Sequence, residues 1–319
     1  MEKTLEVVTF GETMVLFNPD NIGPLRYANN FSKSIGGAES NVAIALAKLG
    51  HNVGWFSKLG NDAFGMYIKS VIMGEGVDVS RVGFDEERKT GIIFKERFQH
   101  TNPNVYYYRQ NSAASHIGVK DLDEDYLKSA KILHITGITP AISESAREAV
   151  FKAVEIAKEN NVIVSFDPNI RLKLWKLNEA KEVILKIAEK ADIIFPGEDE
   201  GKKLLGTDNP ELIADEFIKL GCKLVVVKLG EKGCYVQSKD EKIYVEGYPI
   251  KRVEDTVGAG DGFAAGFLSG YLKELSLEDC AKYANGVGAM AVLVRGDMEG
   301  YPDIEQLESF IGITESVDR

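Results

Sequence analysis

From residue 131 onward, short apolar runs rich in β-branched residues alternate with longer stretches of helical periodicity. The runs are KILHIT (131–136), VIVSFD (162–167), ADIIFP (191–196) and KLVVVK (223–228). Their starts lie roughly thirty residues apart, the length of one strand–helix unit. Between the first two, Ala146, Ala149, Val150, Ala153, Val154 and Ala157 recur at i, i+3 and i+4, which draws one apolar stripe along a helix. Residues 178–190 and 210–221 repeat the pattern. Strand, helix and strand at this spacing predict right-handed crossovers and a parallel sheet covered on both faces. The expected fold is α/β: a doubly wound, mostly parallel sheet flanked by helices.

The N-terminal third reads differently. LEVVTF at 5–10 can join the parallel sheet, and helices are expected over 39–49 and 63–73. Residues 12–35 and 88–112, however, carry alternating, aromatic-rich runs such as GIIFKERF and NVYYYRQ with no helix between those two. Alternation of this kind suggests an antiparallel, half-exposed sheet. No repeat or Pro/Gly/Ser linker interrupts the chain. The two segments are therefore expected to form a small β-sheet lid inserted into a single domain spanning 1–319.

A chain of 319 residues can bury a large core. Its formal charge of -11 argues against a nucleic-acid partner, whose phosphates need Lys and Arg. It also means that an anionic ligand must be met by a few fixed cations and backbone N–H groups. Cys222, Cys234 and Cys280 are odd in number and lack CxxC or His-paired spacing, so they read as reduced core residues. The start MEKTLEVVTFGE has no basic n-region, and no apolar run reaches the length of a membrane span. No membrane association and a cytoplasmic location are expected.

In an open parallel sheet, ligands bind beyond the carboxyl ends of the strands. Polar and glycine-rich residues gather there: Thr136-Gly137, Asp167 through Arg171, Gly197 through Glu200, and Leu229 through Gly233. A later stretch, DTVGAGDGFAAG at 255–266, precedes a helical pattern carrying Phe263, Phe267, Leu268, Tyr271, Leu272 and Leu275 on one broad face. Gly262, Gly266 and Gly270 leave a second face bare for close packing. Gly258, Ala259 and Gly260 form the approach to that helix. Free N–H groups and the positive end of the dipole make such a start an anion site, and glycine lets a phosphate reach the backbone. Asp261 in the first turn is either a favourable helix charge or a general base beside an arriving phosphoryl group. There is no GxxxxGK[ST], and GAGDGF is not GxGxxG, so neither a P-loop nor a dinucleotide fold is supported.

DTVGAGDGFAAG resembles the C-terminal signature of the ribokinase / phosphofructokinase-B family of sugar kinases, and GGAESNVAIALAKLGHNVGWFSKLGNDAFG at 36–65 resembles its N-terminal signature. Within the family, GPLRYANNFSKSIGGAESNVA, YYRQNSAAS, NIRLKLW and VRGD are similar to the kinases of 2-keto-3-deoxygluconate. The resemblance implies a ribokinase-like fold and transfer of phosphate from ATP to the terminal hydroxyl of that sugar acid. Asp261 would be the base, helped by the backbone of Gly258, Ala259 and Gly260 and by Arg171. Asn169, Lys228, Gly230, Gly233, Gly258, Gly260 and Asn285 would bind the nucleotide. Gly37, Asn41, Tyr107, Arg109, Arg171, Asp261 and Asp297 would surround the sugar acid, whose carboxylate suits paired hydrogen bonds from a guanidinium. Glu200 would serve Mg²⁺, through water, and a monovalent cation is a further cofactor the family allows. Read from the residues alone, Arg109 could equally be a solvated lid charge, Arg171 a helix cap or a partner of Asp167, and Tyr107 cross-strand packing.

The sequence departs from the family pattern at Gly197, where relatives place Asn, at Ile93, where sugar-acid kinases carry Tyr, and at Leu172, where Pro is frequent. A fructokinase or ribokinase-like kinase of neutral sugars is the competing activity. A non-catalytic sugar or nucleotide sensor is the alternative of another class, and an oxidoreductase fits least. Unpaired strand edges in a small lid invite pairing, so a homodimer or larger assembly through the lid is expected.

Overall fold

The computed structural model describes residues 4–98 and 104–313. Residues 99–103 of the expected lid segment and the first three residues of the MEKTLEVVTFGE start lie outside the described residues. The chain opens with β1 (Leu5–Phe10), β2 (Met14–Pro19), β3 (Phe31–Gly36), α1 (Ala38–Lys48), β4 (Val53–Phe56), β5 (Lys58–Gly60), α2 (Ala63–Gly74), β6 (Gly83–Asp85), β7 (Ile92–Lys95) and β8 (Val105–Tyr108). After α3 (Glu124–Lys128) come β9 (Ala130–Thr136), α4 (Thr139–Ile142), α5 (Glu144–Glu159), β10 (Ile163–Asp167), α6 (Leu177–Ala188), β11 (Ile193–Ile194), α7 (Glu198–Leu205), α8 (Pro210–Leu220) and β12 (Leu224–Lys228). It finishes with β13 (Cys234–Ser238), β14 (Lys242–Val245), α9 (Ala259–Leu272), α10 (Leu277–Ala291) and α11 (Ile304–Phe310).

The apolar runs pair as their composition demands. Strands β4, β1, β9, β10, β11 and β12 lie side by side and parallel, and β13 and β14 extend that sheet antiparallel at one edge. The edge hairpin and helix α10 are additions to the elements the sequence predicts. Alternate residues of each strand feed two cores. Trp55, Phe195 and Phe267 belong to the layer under α1, α9 and α10, whereas Phe10, Phe166 and Phe217 belong to the layer under α5, α6 and α8. The alanine stripe of α5 is fully buried, and the Ser143 hydroxyl accepts the Ala146 N–H to start that helix.

The lid is a separate four-stranded sheet in the order β3-β2-β7-β8. Its outer pairs run antiparallel, as alternation predicts; its inner pair, β2 and β7, runs parallel because the two strands arrive from different parts of the chain. Met14, Leu16 and Ile93 are buried on one face. Phe17, Phe31, Phe94 and Tyr108 form a chain of ring contacts on the other, with centroids 5.1–6.4 Å apart.

Helix α9 is buried on both of the faces read in its sequence: every residue from Asp261 to Gly270 is buried. Its glycines explain how. A Cβ on Gly266 would stand 2.6 Å from the Tyr283 carbonyl oxygen, and one on Gly270 2.8 Å from the Cys280 Cα, so α9 and α10 touch backbone to backbone. No helix among the described residues is long and apolar enough to cross a membrane.

Candidate active site

The carboxyl ends of β10 and β12 bring an acid and a base together. Lys228 Nζ lies 2.6 Å from Asp167 Oδ2, and Asp167 is 2 % exposed. Burial alone would lower the Lys228 pKa, but the charges of Asp167 and Glu200 outweigh it and hold the group above its ordinary value. Of the partners open to Asp167, the structure thus selects Lys228 and leaves Arg171 without an ion pair among the described residues. Asn169, two residues on, takes the left-handed backbone region at φ 38°, a conformation Asn tolerates better than most side chains. Its Nδ2 donates to Asp261 Oδ1 at 3.4 Å.

Asp261 occupies the first turn of α9. Its other oxygen accepts Asn41 Nδ2 from α1 at 2.8 Å. Burial pushes its pKa up to about 7, and the Asp167 charge adds to that rise, while the Asn41 hydrogen bond and the Arg171 and Lys228 charges oppose it. Gly258 precedes the helix in the left-handed region at φ 79°, where a Cβ would overlap the Asp297 carbonyl. The Tyr301 hydroxyl donates to the Gly258 carbonyl at 2.8 Å. Around Gly260 the surroundings are open: a Cβ there would meet only Lys228 Nζ, at 3.9 Å.

Two chambers meet at that turn. The larger, of about 1510 Å³, has a mixed polar and apolar lining that includes Gly37, Asn41, Tyr107, Arg109, Arg171 and Asp297. Asn169, Glu200, Gly258 and Asp261 also border it, as do Gly197, Ile93 and Leu172, the three departures from the family pattern. The smaller, of about 700 Å³, is mostly apolar and lined by Gly230, Gly233, Ala259, Phe263, Asn285 and Val292 among others. Lys228, Thr256 and Gly260 border both. Asn285 spends its amide on the Val245 and Glu246 carbonyls, which fixes the chain beyond β14 as a wall of the smaller chamber.

Several residues of the site carry no local signal in the sequence. Glu12, 1 % exposed in its side chain, is ion-paired with Arg109 and accepts the Ser112 hydroxyl at 2.5 Å. Arg109 is therefore a held, half-neutralised guanidinium rather than a solvated lid charge, whereas Arg171 and Lys173 are exposed cations of the cleft without a counter-ion among the described residues. Glu39, wholly buried in the first turn of α1, accepts the Thr136 and Thr139 hydroxyls at 2.6 Å each and so fixes the end of α1 that carries Gly37 and Asn41. Lys95 of the lid pairs with Asp255, and Asp297 is buried with Oδ1 unpartnered, its pKa pushed up to about 7 by burial against the opposing Lys95 charge. Glu12, Glu39, Lys95 and Asp255 find their partners up to 160 residues away, and no spacing rule reaches that far.

The chamber pair fits a nucleotide: an apolar slot for a base, then backbone open to phosphate at Gly260. For Mg²⁺ the fit is narrower. Among the described residues no three His, Cys, Asp or Glu side chains cluster as a metal cage. Mg²⁺ that travels on phosphates needs only one or two protein carboxylates, and Asp167 and Glu200 border the cleft beside Lys228. Both Glu200 oxygens already accept backbone amides, from Gly197 at 2.9 Å and Ile170 at 2.8 Å, which suits contact through water.

The profile of the pfkB family carbohydrate kinases matches residues 4–304. The chain belongs to this family. It is 43% identical over 316 residues to the 2-dehydro-3-deoxygluconokinase of Bacillus subtilis, covering 98% of this chain and 97% of that one. It is 32% identical to the 5-dehydro-2-deoxygluconokinase of Clostridium beijerinckii, covering 97% and 93% of the two chains. A protein from E. coli solved in complex with ATP and Mg²⁺ superposes with a TM-score of 0.90 at 30% identity, covering 97% of this chain and all of that one. As a pfkB-family member the chain is a phosphotransferase that acts on a sugar hydroxyl, and its parallel core with a separate lid sheet is the ribokinase-like fold.

Proposed function

We propose that this pfkB-family kinase transfers the terminal phosphoryl group of ATP to the terminal hydroxyl of 2-keto-3-deoxygluconate (2-dehydro-3-deoxygluconate). The observation that carries the reading is that Asp261 lines the larger chamber directly beside Gly260, which borders both chambers, with the unpaired Arg171 bordering the larger one. Asp261 accepts the hydroxyl proton while the new O–P bond forms and the bond to the departing diphosphate breaks. Asn41 and Asn169 aim the carboxylate. The N–H groups of Gly258 to Asp261 and Arg171 meet the charge on the phosphoryl oxygens. Mg²⁺, when bound, neutralises phosphate charge; Asp167 and Glu200 would hold it, Glu200 through water. Arg171, and the remaining donors of Arg109, would receive the sugar carboxylate. The need for ATP fits the cytoplasmic location expected from the sequence.

Similarity to the C. beijerinckii relative keeps a second deoxy keto-acid in view. The test is a coupled assay of ADP release over 2-keto-3-deoxygluconate, 5-dehydro-2-deoxygluconate, fructose and ribose, with and without K⁺. Highest kcat/KM on the first substrate is expected. Arg171→Ala should raise KM for an acid by about tenfold or more and leave KM for a neutral sugar nearly unchanged, while kcat falls on both because the phosphoryl oxygens lose the same guanidinium. Highest kcat/KM on fructose or ribose would overturn the acid assignment, and no ADP release on any sugar would favour a sensor.

A further inference from the structure

The loop that delivers the phosphate cradle is exposed along Lys251–Val257 except at one residue. Asp255 turns inward, its side chain only 13 % exposed, and both its oxygens meet Lys95 Nζ, at 2.6 and 2.8 Å. Asp255 Oδ1 also accepts the Val257 N–H at 3.2 Å, which shapes the turn entering Gly258. Lys95 ends strand β7, so this ion pair runs from the sheet that covers the sugar chamber to the turn that receives the phosphate. An ammonium and a carboxylate this far from water gain little net stability over an apolar pair of the same shape, yet removal of either one strands the other. The arrangement is costly unless its geometry is used. The nearby Asp297, whose Oδ1 is unpartnered and whose Oδ2 faces Gly36 of β3, is a second carboxyl group close to the same ammonium.

We infer that Lys95 is a positioning residue that couples the seating of the lid to the order of the phosphate cradle. With the lid down, the ammonium fixes Asp255 and through it the path of the chain into Gly258–Asp261. With the lid raised, the pair is broken, the cradle loosens and water reaches the cleft. The donor is therefore used productively only under a lid that has closed on an acceptor. The inference rests on the kinase chemistry above, though not on which sugar is the acceptor.

The test measures steady-state kinetics and the ratio of ADP released to sugar phosphate formed, on whichever sugar the wild type accepts. Lys95→Met keeps the aliphatic stem and removes the charge. It should lower kcat by about 10²-fold, as misplacement of a cradle does, leave KM for ATP within about threefold, and raise the ADP-to-product ratio. Lys95→Arg should recover much of the rate and restore the ratio. Asp255→Asn breaks the same pair from the other side, and the double variant should be no slower than the slower single one, because the two act as a unit. Should Lys95→Met fold poorly by thermal melting, the double variant, which strands no charge, carries the same reading. Wild-type kcat and ratio in Lys95→Met, or losses that multiply in the double variant, would overturn the proposal. A wild type inactive on the sugar acid but active on another sugar would sink the substrate assignment and leave the latch to be judged on that other sugar.

Discussion

The base role proposed for Asp261 requires its ionised form, and the cleft disfavours that form: its pKa is pushed up to about 7 by burial, then by Asp167. Two consequences have opposite signs. For catalysis, kcat/KM should rise with pH through about 7 and level above it, and Asp261→Asn should lose about 10²–10⁴-fold in kcat with nucleotide affinity nearly unchanged. A pH–rate profile and a nucleotide titration check both. For stability, the unfolded carboxyl titrates near 4, so the folded state binds the proton more tightly. The stability this group contributes is complete below about pH 4 and is lost as pH rises through about 7. Asparagine, never charged, escapes that loss. Asp261→Asn should melt higher than wild type at pH 8, by up to ~4 kcal/mol of stability, with the gap closing toward pH 4. Equal melting temperatures at pH 8 would mean that the carboxylate is better solvated than its burial implies. On the proposed mechanism Asp261 is thus a site where function opposes stability.

The glycines of α9 divide into two tasks, and the division can be tested element by element. Gly266 and Gly270 meet α10 backbone at distances no side chain tolerates, whereas Gly260 faces open cleft. Gly266→Leu should destabilise the fold by roughly 2–4 kcal/mol, as overpacking at a close helix contact does. Gly260→Ala should fold with a nearly unchanged midpoint in denaturant yet lose most of its turnover, because the new methyl stands where a phosphate approaches. The sequence carries the second task in its spacing: glycines before a helix with an acid in the first turn mean an anion site on elementary grounds. It carries the parallel core equally well, because strands buried on both faces must read as continuous apolar runs. It hides α10 because Gly286 and Gly288 interrupt the apolar stripe for the sake of close packing, one against Leu307 and Ile311 and the other against α9. It hides the partners of Arg109 and Lys95 because Glu12 and Asp255 are ordinary acids until the fold brings them within reach. Local pattern therefore yields the elements and the candidate anion site, while the charges around that site belong to tertiary structure alone.

For the whole molecule, the lid poses a problem that the core does not. Its sheet ends at β3 on one side and β8 on the other, and strand alternation gives β8 two unlike faces. Tyr107 borders the larger chamber. Tyr106 and Tyr108 point the opposite way, and Tyr108, 66 % exposed, leans on Phe94 at the end of the aromatic row on the outer face. A free edge beside exposed rings invites pairing with another chain. The net charge of -11 disfavours indiscriminate association, so the partner must offset repulsion with a matched surface. A second copy of the same sheet offers one, since a two-fold axis sets identical patches against each other and covers both edges at once. Light scattering at micromolar concentration should give a dimer or a multiple of it. Tyr106→Glu/Tyr108→Glu should shift the protein to monomer, and the shift should deepen at low ionic strength, where the added charges are least screened. Because Tyr107 and the Lys95–Asp255 pair lie on the inner side, the monomer should keep its fold and bind ATP while KM for the sugar rises, as a lid without its support seats less firmly. A wild type that scatters as a monomer at that concentration would instead assign the outer tyrosines to some other partner and leave the lid to close unaided.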